Sequence, residues 1–244
     1  MAYRTSFIVQ IVSMALSDIV MVMIFAVFFN RFHTIAGMDF QGYLRLLIVV
    51  LLGYCISHIL FYGTRKIGEL IVTGQLDMHL LLPRNLLIRV MTSRLQVSVF
   101  GDLIYAIGLF FLIKGVTLIF VLKAIFVATF GWLTFMGFAL TIESLWFRIG
   151  SSRELSRAIF EAVMWPAHYP PNIFSTWIFK VLFMSVLPVF FVAYLPYNML
   201  SFGFSRANVS LLIGASIFFC SLWAFTFYRW LRKYESGNLM NVNE

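Results

Sequence analysis

Four ionisable side chains interrupt long apolar runs of the sequence, namely Asp18, His58, Asp102 and Glu143. A charge near the centre of a bilayer costs about 2.5–3.5 kcal/mol on insertion scales, so each of them needs a polar partner or a wet cavity. Side chains in such positions bind protons or cations, or line the path of a polar substrate. If each run is a helix, the depths of His58 and Asp102 differ by about 3 Å, so these two side chains could pair. Alternatively, Ser, Thr or backbone groups satisfy each of them separately.

The composition places these side chains in a membrane protein. Of the 244 residues, 61% are hydrophobic and only 11% are charged, whereas about 25% are charged in an ordinary globular chain. A bilayer is the solvent that accepts so much apolar surface, and a crossing helix needs about 20 apolar residues. We therefore predict an all-α polytopic fold, a single transmembrane domain over residues 1–244. Its six crossings are expected near residues 7–29, 43–63, 95–113, 118–146, 154–170 and 208–230.

The region 147–207 has two interpretations, and both give six crossings. In the first, residues 177–200 cross the membrane once and 151–175 form a cytoplasmic loop. In the second, a short and less apolar helix at 154–170 crosses. Residues 177–200 then form a re-entrant hairpin that enters from the outer side and returns to it.

Two prolines and one charge pair bear on this choice. Pro188, in the middle of the apolar run, favours a reversal because proline removes a backbone donor and kinks a helix. Pro196 favours a second break. Arg157 and Glu161 make the alternative crossing polar, but their spacing of four residues lets them pair along one helical face.

Basic residues are divided unequally between the two sides of the predicted bundle. With the N-terminus inside, twelve Lys and Arg residues face the cytoplasm and five face outside, while Lys180 changes side with the interpretation. An excess of Lys and Arg favours the cytoplasmic side, which predicts cytoplasmic N- and C-termini. The net charge of +8 is therefore interpreted as a topology signal and not as a sign of nucleic-acid binding.

The loop at 64–94 is charged, yet its pattern is typical of short helices. Ile67, Leu70 and Ile71 fall on one helical face, and Gly74 offers a stop. A structured and partly apolar loop on a membrane protein needs a docking partner. Five basic residues accompany the apolar ones: Arg65, Lys66, Arg84, Arg89 and Arg94.

Helix caps are predicted at two positions of this loop. Asp77 is expected to cap a turn at 78–82, which Pro83 ends. Asn85 is expected to cap a helix that continues into the membrane.

Several kinds of site find no support in the sequence. It contains no GxxxxGK[ST] phosphate loop, so the chain does not hydrolyse ATP by that route. The HExxH and GxSxG motifs are also missing. Cys55 and Cys220 lie in apolar runs and are predicted to be free thiols, and the four histidines lack zinc spacing. We therefore expect neither an enzyme nor a metal site.

Four segments of the sequence carry a family resemblance. The loop reads "GELIVTGQLDMHLLLPRN" over 68–85, and a later block reads "YPPNIFSTWIFKVLFMSVLPVFFVAYLPYNML" over 169–200. The opening "YRTSF" and the segment "LWFRIGSSRELSRAI" add to these. Together they resemble the ABC-2 type export permeases, and in particular the subfamily with a "GeLDflLlrP" loop and a "YP…iP…P" block.

The resemblance implies six helices, a pore formed by two permease subunits, and a coupling helix that docks on a separate ATPase. ATP and Mg would be bound by that ATPase, so no cofactor is expected in this chain. The coupling residues implied are Gly74, Gln75, Leu76, Asp77, Leu81, Pro83 and Arg84. An outer gate is implied at Tyr169, Pro170, Pro188 and Pro196. Family members also carry an amphipathic helix before the "YR" opening, whereas this sequence starts at Met1.

The preferred hypothesis is the permease subunit of an ATP-driven exporter in a bacterial inner membrane. Its expected partners are an ABC ATPase, an identical or related second permease subunit and membrane lipids. Lipid-like, peptide and drug-like cargo all fit. The alternative hypothesis is an autonomous proton- or ion-coupled carrier that uses Asp18, His58 and Asp102. Copurification of an ATPase would distinguish the two.

Overall fold

The computed structural model describes residues 2–63, 67, 70, 75–81, 86–92, 95–144 and 153–232. In this part of the chain the fold is a helical bundle with one two-residue β-ladder. The helices are Ala2–Phe32 (α1), Phe40–Leu60 (α2), Leu76–Leu80 (α3), Leu86–Met91 (α4), Val99–Leu112 (α5), Leu118–Ser144 (α6), Arg153–Ala167 (α7), Trp177–Ser185 (α8), Leu195–Phe202 (α9) and Arg206–Leu231 (α10). A 3-10 turn at Pro171–Phe174 and a π-helical turn at Phe190–Tyr194 complete the helical structure, and the strands are Thr34–Ile35 (β1) and Met38–Asp39 (β2).

Within the described residues, four helices are long and apolar enough to cross a membrane: α1, α2, α6 and α10. They coincide, within a few residues at each end, with the crossings predicted at 7–29, 43–63, 118–146 and 208–230. A fifth span results if the bent pair formed by α8 and Phe190–Phe202 is counted as one. The chain is therefore an all-α polytopic membrane protein.

The predicted crossing at 95–113 contains a shorter helix, α5, of 14 residues. At about 1.5 Å per residue it rises about 21 Å, which is less than the hydrocarbon thickness of a bilayer. The helix expected to run from Asn85 into the membrane is not formed. Instead α4 ends at Met91, and a turn in which Gln96 Nε2 donates to Ser98 Oγ at 2.8 Å starts α5 separately.

A tight hairpin joins α1 to α2. β1 and β2 pair antiparallel, and Ala36 and Gly37 between them have positive φ angles of 49° and 78°. Asp39 then caps α2, because its side chain accepts a hydrogen bond from the Gly42 amide at 2.9 Å. We refer to this end of the bundle as the hairpin end and to the opposite end as the loop end.

α2 is the central helix of the bundle. In its most apolar 18-residue stretch 72% of the residues are buried, against 6% for α1, so α1 lies at the periphery. Gly53 permits the closest contact of α2, because a Cβ at this position would clash with the indole ring of Trp132 on α6.

Small and polar residues join α6 to α10. A Cβ at Gly137 would lie 2.5 Å from the carbonyl carbon of Phe219, so the two backbones touch there. One helical turn away, Ser216 Oγ donates to the Phe130 carbonyl oxygen at 2.7 Å and lies 3.1 Å from Thr134 Oγ1. Close contact at small residues and interhelical hydrogen bonds stabilise helix pairs in lipid, where burial of apolar surface contributes little.

α7 lies at the crossing predicted for 154–170 but is more polar than the four long spans. The predicted pair is confirmed, since Arg157 Nε lies 2.9 Å from Glu161 Oε1. Their side chains are 71% and 46% exposed. Such a face needs protein or water beside it and is unsuited to lipid.

The segment predicted as a hairpin at 177–200 is sharply bent. α8 and Phe190–Phe202 meet at 85° across a short break that contains Pro188. The π-helical turn after the break presses on α6, because a Cβ at Gly131 would lie 3.0 Å from the carbonyl oxygens of Phe191 and Val192.

Candidate functional site

The loop at 64–94 is anchored on the loop end of the bundle. Ile67, Leu70 and Val90 are at most 4% exposed, so the apolar face predicted from the sequence is buried, except that Ile71 lies outside the described residues. The anchor consists of side chains from α6 and α10, namely Met136, Leu140, Trp223 and Phe227.

The tip of this loop, in contrast, exposes apolar side chains. Leu81 is 85% exposed and Met78 is 70% exposed. The tip is tied to α4, since Arg89 Nη1 donates to the His79 carbonyl oxygen at 3.5 Å. Exposed apolar side chains on an anchored support are typical of a surface that binds a partner protein.

Four of the seven predicted coupling residues have a described backbone. Gln75 precedes α3, Leu76 and Asp77 lie in its first turn, and Leu81 follows its last. Asp77 is therefore not the helix cap, which falls on Gln75 without a side-chain hydrogen bond. The reason is that α3 starts two residues earlier than predicted. Gly74, Pro83, Arg84 and the side chain of Leu76 lie outside the described residues.

Two of the four predicted intramembrane groups meet between α1 and α5. The side chains of Asp18 and Asp102 face each other. Asp102 is 1% exposed, and neither of its carboxyl oxygens has a hydrogen-bond partner among the described residues. The expected pairing of Asp102 with His58 is therefore wrong.

His58 instead joins an aromatic cluster beside α6 and α7. Its Nδ1 lies 2.9 Å from both Ser57 Oγ and the Tyr54 carbonyl oxygen, and its ring stacks on Tyr54 with centroids 3.8 Å apart. The rings of Trp132 and Phe160 approach edge-on at 6.4 and 6.3 Å.

The predicted gate residues cluster around the segment after α7. Pro170, Pro188 and Pro196 are buried, and Tyr169 is half-buried with its ring 6.1 Å from that of Phe25 on α1. Pro196 is at the start of α9, where a missing amide is tolerated.

Two amides that the sequence did not single out tie the hairpin end together. Asn172 Nδ2 donates to the Ala36 carbonyl oxygen at 2.9 Å, which places the 3-10 turn after α7 against the α1–α2 hairpin. Gln41 bridges the connection between α5 and α6, donating to the Leu112 carbonyl oxygen at 3.2 Å and accepting from the Lys114 amide at 2.9 Å. In the sequence, the only sign of this role is that both residues lie beside predicted helix ends.

A basic residue of α2, Arg45, also lies partly buried in the bundle. Arg45 of α2 and Asp39 interact electrostatically with the hydroxyl of Tyr197 on α9. Among the described residues, the buried atom Arg45 Nε has no hydrogen-bond partner. No group of three or more His, Cys, Asp and Glu residues in the described part of the chain is arranged to hold a metal ion.

Comparison with known proteins identifies the family of the chain. Neither the curated proteins nor the solved structures yielded a significant match. The sequence profile described as "ABC-2 family transporter protein" matches residues 14–237, nearly the whole chain. Such proteins are typically the permeases of ABC transporters. The chain belongs to the ABC-2 family of transporter membrane proteins.

Proposed function

We propose that this chain is the transmembrane permease subunit of an ABC exporter whose ATP is bound and hydrolysed by a separate ATPase subunit. A second permease subunit, identical or related, completes the transport path in a bacterial inner membrane. The N- and C-termini face the cytoplasm. The substrate is a lipid-like, peptide or drug-like molecule.

The observation that carries the proposal is that one part of the 64–94 loop is buried against the bundle and another part is exposed. Its base is fixed to α6 and α10 through Ile67, Leu70 and Val90, while the side chains of Met78 and Leu81 are exposed. A rigid support with an exposed apolar tip suits transmission of force from a docked ATPase. Because α6 and α10 touch at Gly137, movement of the loop would be passed to both helices.

The contact between Asn172 and Ala36 supports the re-entrant interpretation of 177–200. It puts the start of this segment at the hairpin end, where a hairpin entering from outside would begin. In the alternative interpretation, residues 151–175 lie at the loop end, which this contact disfavours. Six crossings follow if α5 and α7 each cross with the help of flanking residues.

Exposed apolar side chains along the spans support contact with lipid and with a second subunit. α1 is the clearest example, with Met23 and Val27 exposed by 61% and 70%. Water is a poor solvent for such a helix, so acyl chains or another permease must cover it.

Copurification of an ATPase tests the proposal. The tagged full-length chain is isolated from membranes of its own host, and an ABC ATPase subunit is expected in the preparation. Leu81→Arg should reduce the recovered ATPase about tenfold or more, the loss typical when an interface anchor is removed. Expression should be unchanged, because the Leu81 side chain is already 85% exposed.

Thr92→Arg is the matched control, since it adds the same charge to an exposed position of the same loop outside α3. Equal recovery of the ATPase with Leu81→Arg and Thr92→Arg would remove the loop tip as the docking surface. Transport by the purified chain alone, driven by a proton gradient without an ATPase, would overturn the exporter proposal.

A further inference from the structure

We infer that Asp18 and Asp102 form a proton-binding site in which the two carboxyl groups share one proton across the contact between α1 and α5. The ligand is a single proton. The site goes beyond ATP-driven transport and does not depend on it.

The two helices are in backbone contact immediately beside this pair. A Cβ at Gly101 would clash with the Ile11 carbonyl oxygen and would lie 3.1 Å from both the Ala15 amide nitrogen and Met14 Cβ. Asp102 follows Gly101 directly, and Asp18 lies one helical turn beyond Met14 and Ala15. The lack of a side chain at Gly101 thus brings the two carboxyl groups together.

Three of the four carboxyl oxygens of the pair lack a hydrogen-bond partner in the described part of the chain. Both carboxyl oxygens of Asp102 and the Oδ2 of Asp18 are buried without a partner. A buried acceptor without a donor is costly, and two ionised carboxylates in contact repel each other. A proton on one carboxyl removes both costs, because the acid donates a hydrogen bond to the carboxylate that remains.

The groups around the pair fit a proton better than a metal cation. The titratable groups that interact with it are Cys55 of α2 and Tyr105 of α5. Cys55 Sγ is oriented towards the Val99 carbonyl oxygen, 3.9 Å away. Hard cations require about six oxygen ligands, and the described residues offer no cluster of three or more acidic, His or Cys side chains here.

The packing of α1 against α5 depends on whether this proton is bound. Loss of the proton would leave two negative charges facing each other between α1 and α5. Since α1 has the smallest buried share of the four long spans, it has few other contacts to oppose that repulsion. The packing of α1 is therefore expected to loosen as the pH rises.

Infrared spectroscopy of the purified full-length chain in lipid nanodiscs measures the proton directly. At neutral pH the wild type should show the C=O stretching band of a protonated carboxylic acid. The band should disappear in the double variant Asp18→Asn with Asp102→Asn and should persist in Glu161→Gln, which alters an exposed acid on α7. Absence of the band from the wild type, a measurement that needs no variant to fold, would overturn the inference, as would its persistence in the double variant.

Thermal unfolding gives a second and independent measurement. As the pH rises from about 4, where free aspartates ionise, to alkaline values, the melting temperature of the wild type should fall more steeply than that of the double variant, whose amides neither repel nor titrate. Each single Asp→Asn variant should resemble the double variant, because one amide can donate to the remaining carboxylate. Equal slopes for wild type and double variant would contradict the shared proton. None of these measurements involves an ATPase, so their failure is distinguishable from failure of the proposed function.

Discussion

At the scale of single residues, two buried tyrosines differ in whether their hydroxyl groups have a partner. Tyr194 donates a hydrogen bond to the Pro166 carbonyl oxygen at 2.9 Å and thereby holds the bent segment on α7. That oxygen also accepts from the Tyr169 amide at 3.1 Å, so it keeps a donor if Tyr194 is changed. We expect Tyr194→Phe to lower the free energy of unfolding by about 1 kcal/mol, the usual net value of one hydrogen bond. Denaturant unfolding of the purified chain measures this.

Tyr43→Phe is the matched control for that change. The Tyr43 side chain is fully buried, and its hydroxyl has no partner among the residues the structure describes. Its removal should leave the free energy of unfolding unchanged or raise it, since an unpaired buried hydroxyl destabilises the folded state. A loss as large as that of Tyr194→Phe would show that both hydroxyls are hydrogen-bonded.

At the scale of helices, the contact between α6 and α10 depends on one glycine. Alanine is a better helix former than glycine by about 1 kcal/mol, so propensity alone would favour Gly137→Ala. The added Cβ, however, would lie 2.5–2.7 Å from backbone atoms of Phe219 and Cys220, which cannot move without shifting α10. We expect Gly137→Ala to lower the free energy of unfolding by about 1–3 kcal/mol, the cost of overpacking.

Gly214→Ala on α10 separates packing from propensity. A Cβ at Gly214 would meet no atom within 4 Å, so this variant should be as stable as the wild type or more so. Thermal melting of the two variants in the same detergent compares them. If Gly137→Ala matched Gly214→Ala, the two backbones would not be in contact.

At the scale of the whole molecule, the position of Ser175 decides between the two topologies. Ser175 lies between the 3-10 turn and α8, close in sequence to Asn172, which binds the hairpin. In a chain carrying Cys55→Ala and Cys220→Ala, we expect Ser175→Cys to react with an impermeant thiol reagent added to intact cells. The reason is that its segment would start and end on the outer side.

Two further single-cysteine variants mark the two sides of the membrane without any assumption about which side is cytoplasmic. Lys114→Cys marks the hairpin end, where the Lys114 amide binds Gln41, and Thr92→Cys marks the loop end. Ser175→Cys should label together with Lys114→Cys and apart from Thr92→Cys. Labelling of Ser175→Cys only after permeabilisation would show that residues 177–200 cross the membrane once.

The sequence by itself determined the class of molecule and most of its long elements. A run of about 20 apolar residues needs no tertiary context to become a membrane helix, because lipid leaves the backbone no other way to satisfy its hydrogen bonds. For the same reason the positions of α1, α2, α6 and α10 follow from hydropathy. The buried face of the 64–94 loop could also be predicted from the sequence, because Ile67 and Leu70 are spaced with the helical period. Both residues are buried in the structure.

Tertiary structure decided which polar side chains meet. Depth along a helix allowed His58 and Asp102 to approach each other, but depth does not fix the direction in which a side chain points. The close backbone contact at Gly101 brings Asp102 next to Asp18. The imidazole of His58 stacks on Tyr54 instead. The 85° bend and the short length of α5 likewise depend on packing between helices. The hydropathy of a single segment carries no information about that packing.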